Sequence, residues 1–265
     1  MQLAKWRGLR EIAIFVAGYL TYFGVRALTQ SETAQALSNA WTLIRFETQA
    51  GIHVERDVQE AFLASSVLVD AANAVYIYGH WPVLIGAGVL LFRHRPDEYY
   101  LLRNAILLTG FVGLVTFALF PVAPPRLTSL PLVDTITREA GSYRQVLPAA
   151  LVNEYAAMPS FHAGWNVLLG VVVYRAAPHW LLRGMAVAGA AAMVIAVVAT
   201  ANHYVVDVVA GIAIALLGLL VLDLSSRRRT PPRIAQRDVR GCPQGRQRRA
   251  AAPASRSAEP AARRG

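Results

Sequence analysis

The chain has one cysteine, Cys242, among its 265 residues, so it forms no internal disulfide. Charged residues are also scarce, at 16% of the chain, whereas 55% of residues are apolar. Soluble domains carry about 25% charged residues, so this composition excludes an ordinary soluble domain. No repeat of 20 to 50 residues and no inverted symmetry is visible, which argues against a carrier built from repeats. The sequence predicts an integral membrane protein.

Long apolar runs define the fold class. Each run is about 17 to 22 residues long, the length of a helix that crosses a bilayer, except for a shorter, glycine-containing fourth run. The prediction is an all-α, polytopic membrane bundle of about six transmembrane helices within residues 1–224. The runs are Leu9–Leu28, Ala74–Phe92, Leu101–Phe120, Phe161–Tyr174, Leu181–Ala199 and Tyr204–Leu222.

Basic residues orient this bundle. Clusters of them flank the first run, lie between the second and third and between the fourth and fifth, and follow the sixth, so these clusters fall on one side if the runs alternate in direction. The opposite loops mix acidic residues and arginines with no such excess. The positive-inside rule makes that side cytoplasmic. We therefore expect a multi-pass protein of the plasma membrane, with both termini in the cytoplasm and the opposite loops outside.

The net charge of +10 resides in the C-terminal tail. Residues 225–265 hold 12 arginines against Asp238 and Glu259, and 12 − 2 = +10, which equals the charge of the whole chain. Poor in large apolar residues, this segment is predicted to be disordered. It is either a solvated tail that fixes orientation or a ligand for anionic lipid headgroups. Nucleic-acid binding is disfavoured because no aromatic residues lie among the arginines to stack on bases.

The loop between the first two runs has its own helical pattern. Apolar residues recur at helical spacing between Thr33 and Asp70, with charged residues around them. We expect surface helices on the outer leaflet that cover an access route for lipid. The apolar positions are Ala36, Ala40, Leu43 and Ile44.

Histidines at the starts of two apolar runs give the strongest functional signal. His162 begins the fourth run, and His203 begins the sixth with Asp207 one helical turn later. Ionisable groups at membrane depth are costly, so they are rarely there for packing. Because residues four apart share a helix face, the Asp207 carboxylate is expected to accept a hydrogen bond from one nitrogen of His203 and leave the other as a nucleophile. His162 would then protonate a leaving oxygen.

Groups that bind an anion accompany the histidines. Arg126, just past the third run, suits phosphoryl oxygens, and Ser160 can add a hydroxyl and helix N-terminal amides to the same anion. Two structural alternatives remain at this point. Ser160 can be a plain helix cap, and a His203–Asp207 turn can be a buried pair or a proton relay.

Three short motifs, in this order and each beside an apolar run, resemble the signature of the type 2 phosphatidic acid phosphatase superfamily. The resemblance covers roughly residues 74–222 and is closest to the inositolphosphotransferase-like branch, which includes fungal inositol phosphorylceramide synthase. It implies a six-helix bundle that uses no metal. The motifs are Phe120-Pro121-Val122-Ala123-Pro124-Pro125-Arg126, Met158-Pro159-Ser160-Phe161-His162 and Asn202-His203-Tyr204-Val205-Val206-Asp207.

The same resemblance implies roles for the motif residues. His203 would form a phosphohistidine, Asp207 would orient it, and His162 would be the general acid. Arg126 and Ser160 would contact phosphate. A site without a carboxylate cluster suited to a hard cation agrees with chemistry that needs no metal.

Two cations of the family pattern are missing, because Leu119, Ala196 and Val197 stand where the phosphatases carry a Lys and a Ser-Arg pair. Either other groups bind the phosphate or the substrate is a less charged phosphodiester, which suits the transferase branch. Asn202 is our choice for an additional phosphate ligand. The other candidates have plainer interpretations, since Arg138 and Arg144 are typical solvated loop charges and His80 is typical of an interfacial aromatic belt with Tyr76, Tyr78 and Trp81.

The function expected from these residues is cleavage or transfer of a phosphoryl or phosphoalcohol group of a membrane lipid at the outer face. The acceptor is water or a polyol such as inositol. A neutral His203 and a protonated His162 together predict a bell-shaped pH–rate profile. The rival is a non-enzymatic carrier or lipid-binding protein of the same ancestry.

Overall fold

A computed structural model describes residues 2–29, 33–139 and 154–229. These residues form helices and no β-strand, which confirms the all-α class. The helices are α1 Gln2–Thr29, α2 Thr33–Ala50, α3 Glu55–Leu63, α4 Ser66–Tyr78, α5 Trp81–His94, α6 Pro96–Leu119, α7 Thr135–Glu139, α8 Phe161–Ala176, α9 Trp180–Ala199 and α10 Val205–Arg229, with a 3₁₀ turn at Pro125–Leu127. Ser225–Arg229 therefore belong to α10, and the rest of the predicted disordered tail lies outside the described residues.

Three of the described helices, α6, α9 and α10, are long and apolar enough to cross a membrane, and the bent pair α4–α5 makes a fourth if it counts as one span. The expected number of six spans is not confirmed. The first expected span lies within α1, which carries Arg7, Arg10 and Glu11 near its start. The fourth, α8, has 16 residues, fewer than the roughly 20 that a bilayer requires.

The second expected span is broken rather than continuous. Helix α4 ends at Tyr78, α5 begins at Trp81, and the two axes differ by 49°. Pro82 explains the break, because proline lacks the N–H that a continuing helix would use but is well suited to a first helical turn. The break brings His80 into the interior, where it is 2% exposed.

Helix α8 lies at the centre of the bundle, which explains why it can be short. It packs against α5, α6 and α9, and its apolar core also includes side chains of α10. Glycine permits the closest approach, since a Cβ at Gly164 or Gly211 would clash with backbone atoms of the facing helix segment. This contact joins the start of α8 to the first turns of α10.

The outer faces of the spanning helices are apolar. Phe111 and Leu119 on α6, Trp180 on α9 and Leu217 on α10 are all at least 60% exposed. Such a surface fits contact with lipid chains rather than with water. The protein is therefore an integral membrane protein by its helices as well as by its composition.

Helices α2 and α3 cover the loops at one end of the bundle. The apolar stripe predicted on α2 is indeed buried, but it packs against Val122, Ala157 and Tyr204 of the motif loops. Two charged residues expected on the outer surface, Glu47 and Glu55, are completely buried instead. They are buried because their carboxylates accept hydrogen bonds from the first turn of α10.

Candidate active site

Backbone hydrogen bonds hold the three motif loops together. The Val122 amide donates to the Tyr155 carbonyl, and the Ala157 amide donates back to Val122, so a short bridge joins the first loop to the second. The Arg126 amide donates to the Ala201 carbonyl, which joins the first loop to the third. Segments that are far apart in sequence thus form one rigid site at one end of α6, α8 and α10.

His203 is buried at the start of α10, and its tautomer is fixed by a main-chain group. Its Nδ1 lies 2.8 Å from the Ala157 carbonyl oxygen. A carbonyl only accepts, so in the neutral ring Nδ1 carries the proton and Nε2 keeps its lone pair. His203 therefore has the protonation pattern that a nucleophilic imidazole needs.

Asp207 does not make the hydrogen bond to His203 that the sequence predicts. Its Oδ2 lies 3.6 Å from Nδ1 of His203, too far for a hydrogen bond, and accepts the Tyr204 amide at 3.0 Å instead. The reason is geometric, because the first turn of α10 presents its own unpaired amide to the carboxylate. The fully buried Asp207 still places a carboxylate beside the ring.

His162 faces His203 across the site. The centroids of the two rings are 6.0 Å apart. On its other side His162 stacks on Tyr76 at 4.4 Å, which restricts the orientation of the ring. The two histidines are thus close enough to act on one bound group, as the sequence predicts.

His80 belongs to this site, and the prediction that it lies in an interfacial aromatic belt is wrong. Its ring is 4.3 Å from that of His162, and its Nδ1 accepts a hydrogen bond of 2.9 Å from Asn166. Asn166 also donates to the His162 carbonyl. Sequence reasoning missed Asn166, although it lies four residues after His162 on the same helix face. Tyr78 and Trp81 are exposed and remain suited to an interface.

Arg126 is held near the motif histidines by Asn202. The guanidinium Nε donates to Oδ1 of Asn202 at 3.1 Å and lies 3.6 Å from the Asp134 carboxylate. The amide nitrogen of Asn202 donates in turn to the carbonyl and the hydroxyl of Thr200. These contacts engage both ends of the Asn202 amide, and its direct contact with phosphate stays a prediction.

Ser160 is completely buried and caps α8. Its Oγ accepts the Ala163 amide at 3.3 Å, and its own amide donates to the Asp207 carbonyl. The cap and the main-chain bond tie the start of α8 to α10. The helix-cap interpretation of Ser160 is therefore confirmed, and its contact with phosphate stays a prediction.

Apolar side chains occupy the three positions where the family's phosphatases carry a Lys and a Ser-Arg pair. Leu119 is 79% exposed at the end of α6, and Ala196 and Val197 are buried in the core around α9. Arg138 is exposed, as expected for a solvated loop charge. Arg144 lies outside the described residues.

A carboxylate cluster that the sequence analysis did not detect lies beside the start of α10. Glu47, at the end of α2, and Glu55, at the start of α3, meet there with His53. Burial raises the pKa of Glu47 to about 8, and the neighbouring Glu55 carboxyl contributes in the same direction. The hydrogen bond from the Val206 amide lowers this pKa but does not offset the two effects. Nδ1 of His53 lies 2.8 Å from Oε2 of Glu55. The signal available in the sequence was the concentration of two glutamates and a histidine within nine residues.

Comparison with known proteins agrees with this geometry. The profile of the PAP2 superfamily matches residues 41–221, which include all three motif loops and the helices that carry them. The chain belongs to the PAP2 superfamily. Among curated proteins it is 25% identical over 156 residues to the phosphoinositol dihydroceramide synthase of Bacteroides thetaiotaomicron. That alignment covers 54% of this chain and 51% of the synthase, so the chain spans about half the length of this relative. No solved structure matches significantly.

Membership of the PAP2 superfamily and the resemblance to a synthase support a phosphatase or transferase of phosphate esters that acts on membrane lipids. The motif loops lie at the end of the bundle opposite the basic turns. At that basic end Arg175 of α8 contacts Asp223 of α10 at 3.2 Å.

Proposed function

We propose that this PAP2 protein transfers a phosphoalcohol group, such as inositol phosphate, from one membrane lipid to another alcohol. The observation that carries the proposal is the state of His203, whose Nδ1 is bound to the Ala157 carbonyl and whose Nε2 is left with a lone pair. The facing ring of His162, 6.0 Å away, supplies the second group that the reaction needs.

The chemistry has two steps. In the first, Nε2 of His203 attacks phosphorus, the bond from phosphorus to the lipid oxygen breaks, and His162 protonates that oxygen as it leaves. In the second, His162 removes the proton of an acceptor hydroxyl, whose oxygen attacks the phosphohistidine and releases His203. Arg126, oriented by Asn202, stabilises the charge on the phosphoryl oxygens in both steps.

The choice of a phosphodiester as substrate follows from charge. A phosphomonoester carries up to two negative charges and a phosphodiester one, so the monoester requires more cations. The apolar Leu119 and Val197 occupy positions that hold cations in the superfamily's phosphatases. The name of the synthase relative, which concerns phosphoinositol and dihydroceramide, favours the same substrate class. We place the reaction at the extracytoplasmic face of the plasma membrane, opposite the basic turns.

The test is an assay of the purified full chain in mixed micelles. Phosphatidylinositol labelled in its headgroup is supplied with dihydroceramide, and labelled phosphatidic acid is assayed in parallel. We expect label to pass to dihydroceramide, with little free phosphate from phosphatidic acid. Phosphate release as the main reaction would instead make the protein a lipid phosphatase, and turnover of neither lipid would favour the carrier.

The matched variants are His203→Asn and His94→Ala. An asparagine amide preserves the donor to Ala157 but lacks the nucleophilic nitrogen, so His203→Asn should lose turnover by a factor on the order of 10³ or more while folding normally. His94 is exposed at the other end of α5, so its replacement should leave turnover unchanged. Normal turnover by His203→Asn would contradict the phosphohistidine mechanism.

A further inference from the structure

Glu47, His53 and Glu55 form a compact cluster under the first turn of α10. One ligand atom from each lies within 4.8 Å of the other two. Both glutamates are completely buried, and the His53 side chain is 23% exposed. The cluster is thus closed on the protein side and reaches solvent through the histidine.

The two carboxylates are oriented by the main chain of α10. Oε1 of Glu55 accepts the Val205 amide at 2.8 Å, and Oε1 of Glu47 accepts the Val206 amide at 2.7 Å. Their Oε2 atoms point to Nδ1 of His53, at 2.8 Å from Glu55 and 3.4 Å from Glu47. Carboxylates whose second oxygen is fixed by a hydrogen bond are typical of prepared metal ligands.

A second observation indicates that the negative charge of the cluster is incompletely compensated. Oε2 of Glu55 is buried, and it makes no hydrogen bond of acceptable angle with any residue that the structure describes, despite its short distance from His53. Burying a carboxylate without pairing it is costly. Here Glu47 lies beside it, and Asp207 adds a third buried carboxylate nearby. A single imidazole supplies at most one positive charge.

We propose that Glu47, His53 and Glu55 bind one divalent metal ion. Two carboxylate oxygens and one imidazole nitrogen are a donor set that suits Zn²⁺ or Mn²⁺ better than it suits a soft metal ion. A cavity of about 300 Å³, lined by His53, Arg56, Asp57, Leu130, Pro131 and Leu132, provides an entry path and room for water as a further ligand.

The role of this ion is structural. It joins the end of α2 and the start of α3 to Val205 and Val206, which follow His203 directly. It therefore holds the turn that carries His203 without touching the substrate, and it does not depend on the proposed transfer reaction.

The test uses the purified full chain in detergent. The protein is stripped with EDTA and dialysed, and Zn²⁺, Mn²⁺ or Co²⁺ is then added. Bound metal is counted by elemental analysis, Co²⁺ is followed by its visible absorption, and thermal unfolding is recorded with and without each ion. We expect one ion per chain and a higher Tm in its presence.

Variants separate this site from adventitious binding. His53→Ala removes the partly exposed ligand and should fold, yet lose the bound ion and the metal-dependent Tm shift. His94→Ala, an exposed histidine elsewhere, should keep both. Equal metal binding by the parent and His53→Ala, or no stoichiometric metal in the parent, would overturn the proposal. Neither measurement involves turnover, so an inactive enzyme would not affect the result.

Discussion

Asp207 shows how one side chain can serve both the fold and the chemistry. Its Oδ2 caps the Tyr204 amide, whereas its Oδ1 is buried and makes no hydrogen bond within the described part of the chain. The carboxylate is 3.6 Å from Nδ1 of His203, so it acts on the ring through charge. In the proposed mechanism, we expect that charge to stabilise the positive imidazole that forms as His203 attacks phosphorus.

Two substitutions of Asp207 separate these roles. Asp207→Asn keeps an oxygen for the Tyr204 amide and removes the charge, so we expect an unchanged Tm and a kcat lower by about 10²-fold. Asp207→Ala should lose as much activity and also about 1 kcal/mol of stability, because the cap disappears. Steady-state kinetics and thermal unfolding of both variants check this, and parental kcat in Asp207→Asn would show that the charge is irrelevant.

His80 is the second residue for which the structure makes a new prediction. Its ring packs on His162, and its Nδ1 accepts from Asn166, which also binds the His162 carbonyl. His80→Phe keeps the ring and removes the nitrogen. We expect kcat to fall about tenfold with KM unchanged, since His80 positions His162 and does not bind substrate.

The control for His80 is its exposed neighbour Tyr78, which is 66% exposed. Tyr78→Phe should have parental kcat and KM in the same assay. A His80→Phe protein with parental kcat would reduce His80 to a packing residue, and a raised KM would assign it to substrate binding.

The motif residues could be predicted from sequence, but several of their contacts could not. His162, His203, Asp207 and Arg126 were identifiable because ionisable groups at the ends of apolar runs have few structural explanations. The Ala157 carbonyl that binds His203 was not, since any residue supplies a carbonyl and sequence does not show where it points. The hydrogen bond between Arg126 and Asn202 was not predictable either, because the two residues are 76 positions apart.

Glycine determines how closely α8 and α10 pack. A Cβ at Gly211 would collide with the main chain of Ser160, and one at Gly164 would collide with the main chain of Gly211. These contacts set the distance between the helices that carry His162 and His203. Their packing therefore controls the geometry of the site directly.

Gly211→Ala should force the two helices apart, with Gly189→Ala on α9 as its matched control. We expect a lower Tm for Gly211→Ala and a loss of turnover of more than about tenfold, because a displacement of 1 Å can cost 10²-fold. A methyl group at Gly189 meets nothing within 4 Å, so there alanine should preserve turnover and add up to about 1 kcal/mol of helix stability. The same Tm and turnover in both variants would contradict the close contact.

The helices were predictable from sequence to different degrees. Spans α6, α9 and α10 were identifiable from continuous apolar runs, and the apolar stripe of α2 from its spacing. The expected second span failed at Pro82, which starts α5 and directs the chain away from the axis of α4. The burial of Glu47 and Glu55 was not predictable, because their partners in α10 are 159 and 150 residues away.

The two ends of the bundle differ in composition, and this difference predicts which end faces each side of the membrane. The motif loops lie at one end, where α6 ends and α8 and α10 begin. The other end carries Arg93 and Arg95 between α5 and α6, and Arg175 at the end of α8. From the positive-inside rule we predict that this basic end faces the cytoplasm and that the motif loops face the outside.

Single cysteines test this orientation. In a Cys242→Ser background, Ser129→Cys is exposed beside the first motif loop and Asp97→Cys is exposed in the first turn of α6. An impermeant maleimide added to intact cells should label Ser129→Cys at once and Asp97→Cys only after lysis, because one residue faces each side. The parent chain is the control, since Cys242 in the expected cytoplasmic tail should also require lysis. Labelling of Asp97→Cys before lysis, with Ser129→Cys protected, would show that the bundle has the opposite orientation. The proposed phosphotransfer site would then face the cytoplasm, and the substrate lipid would have to come from the inner leaflet.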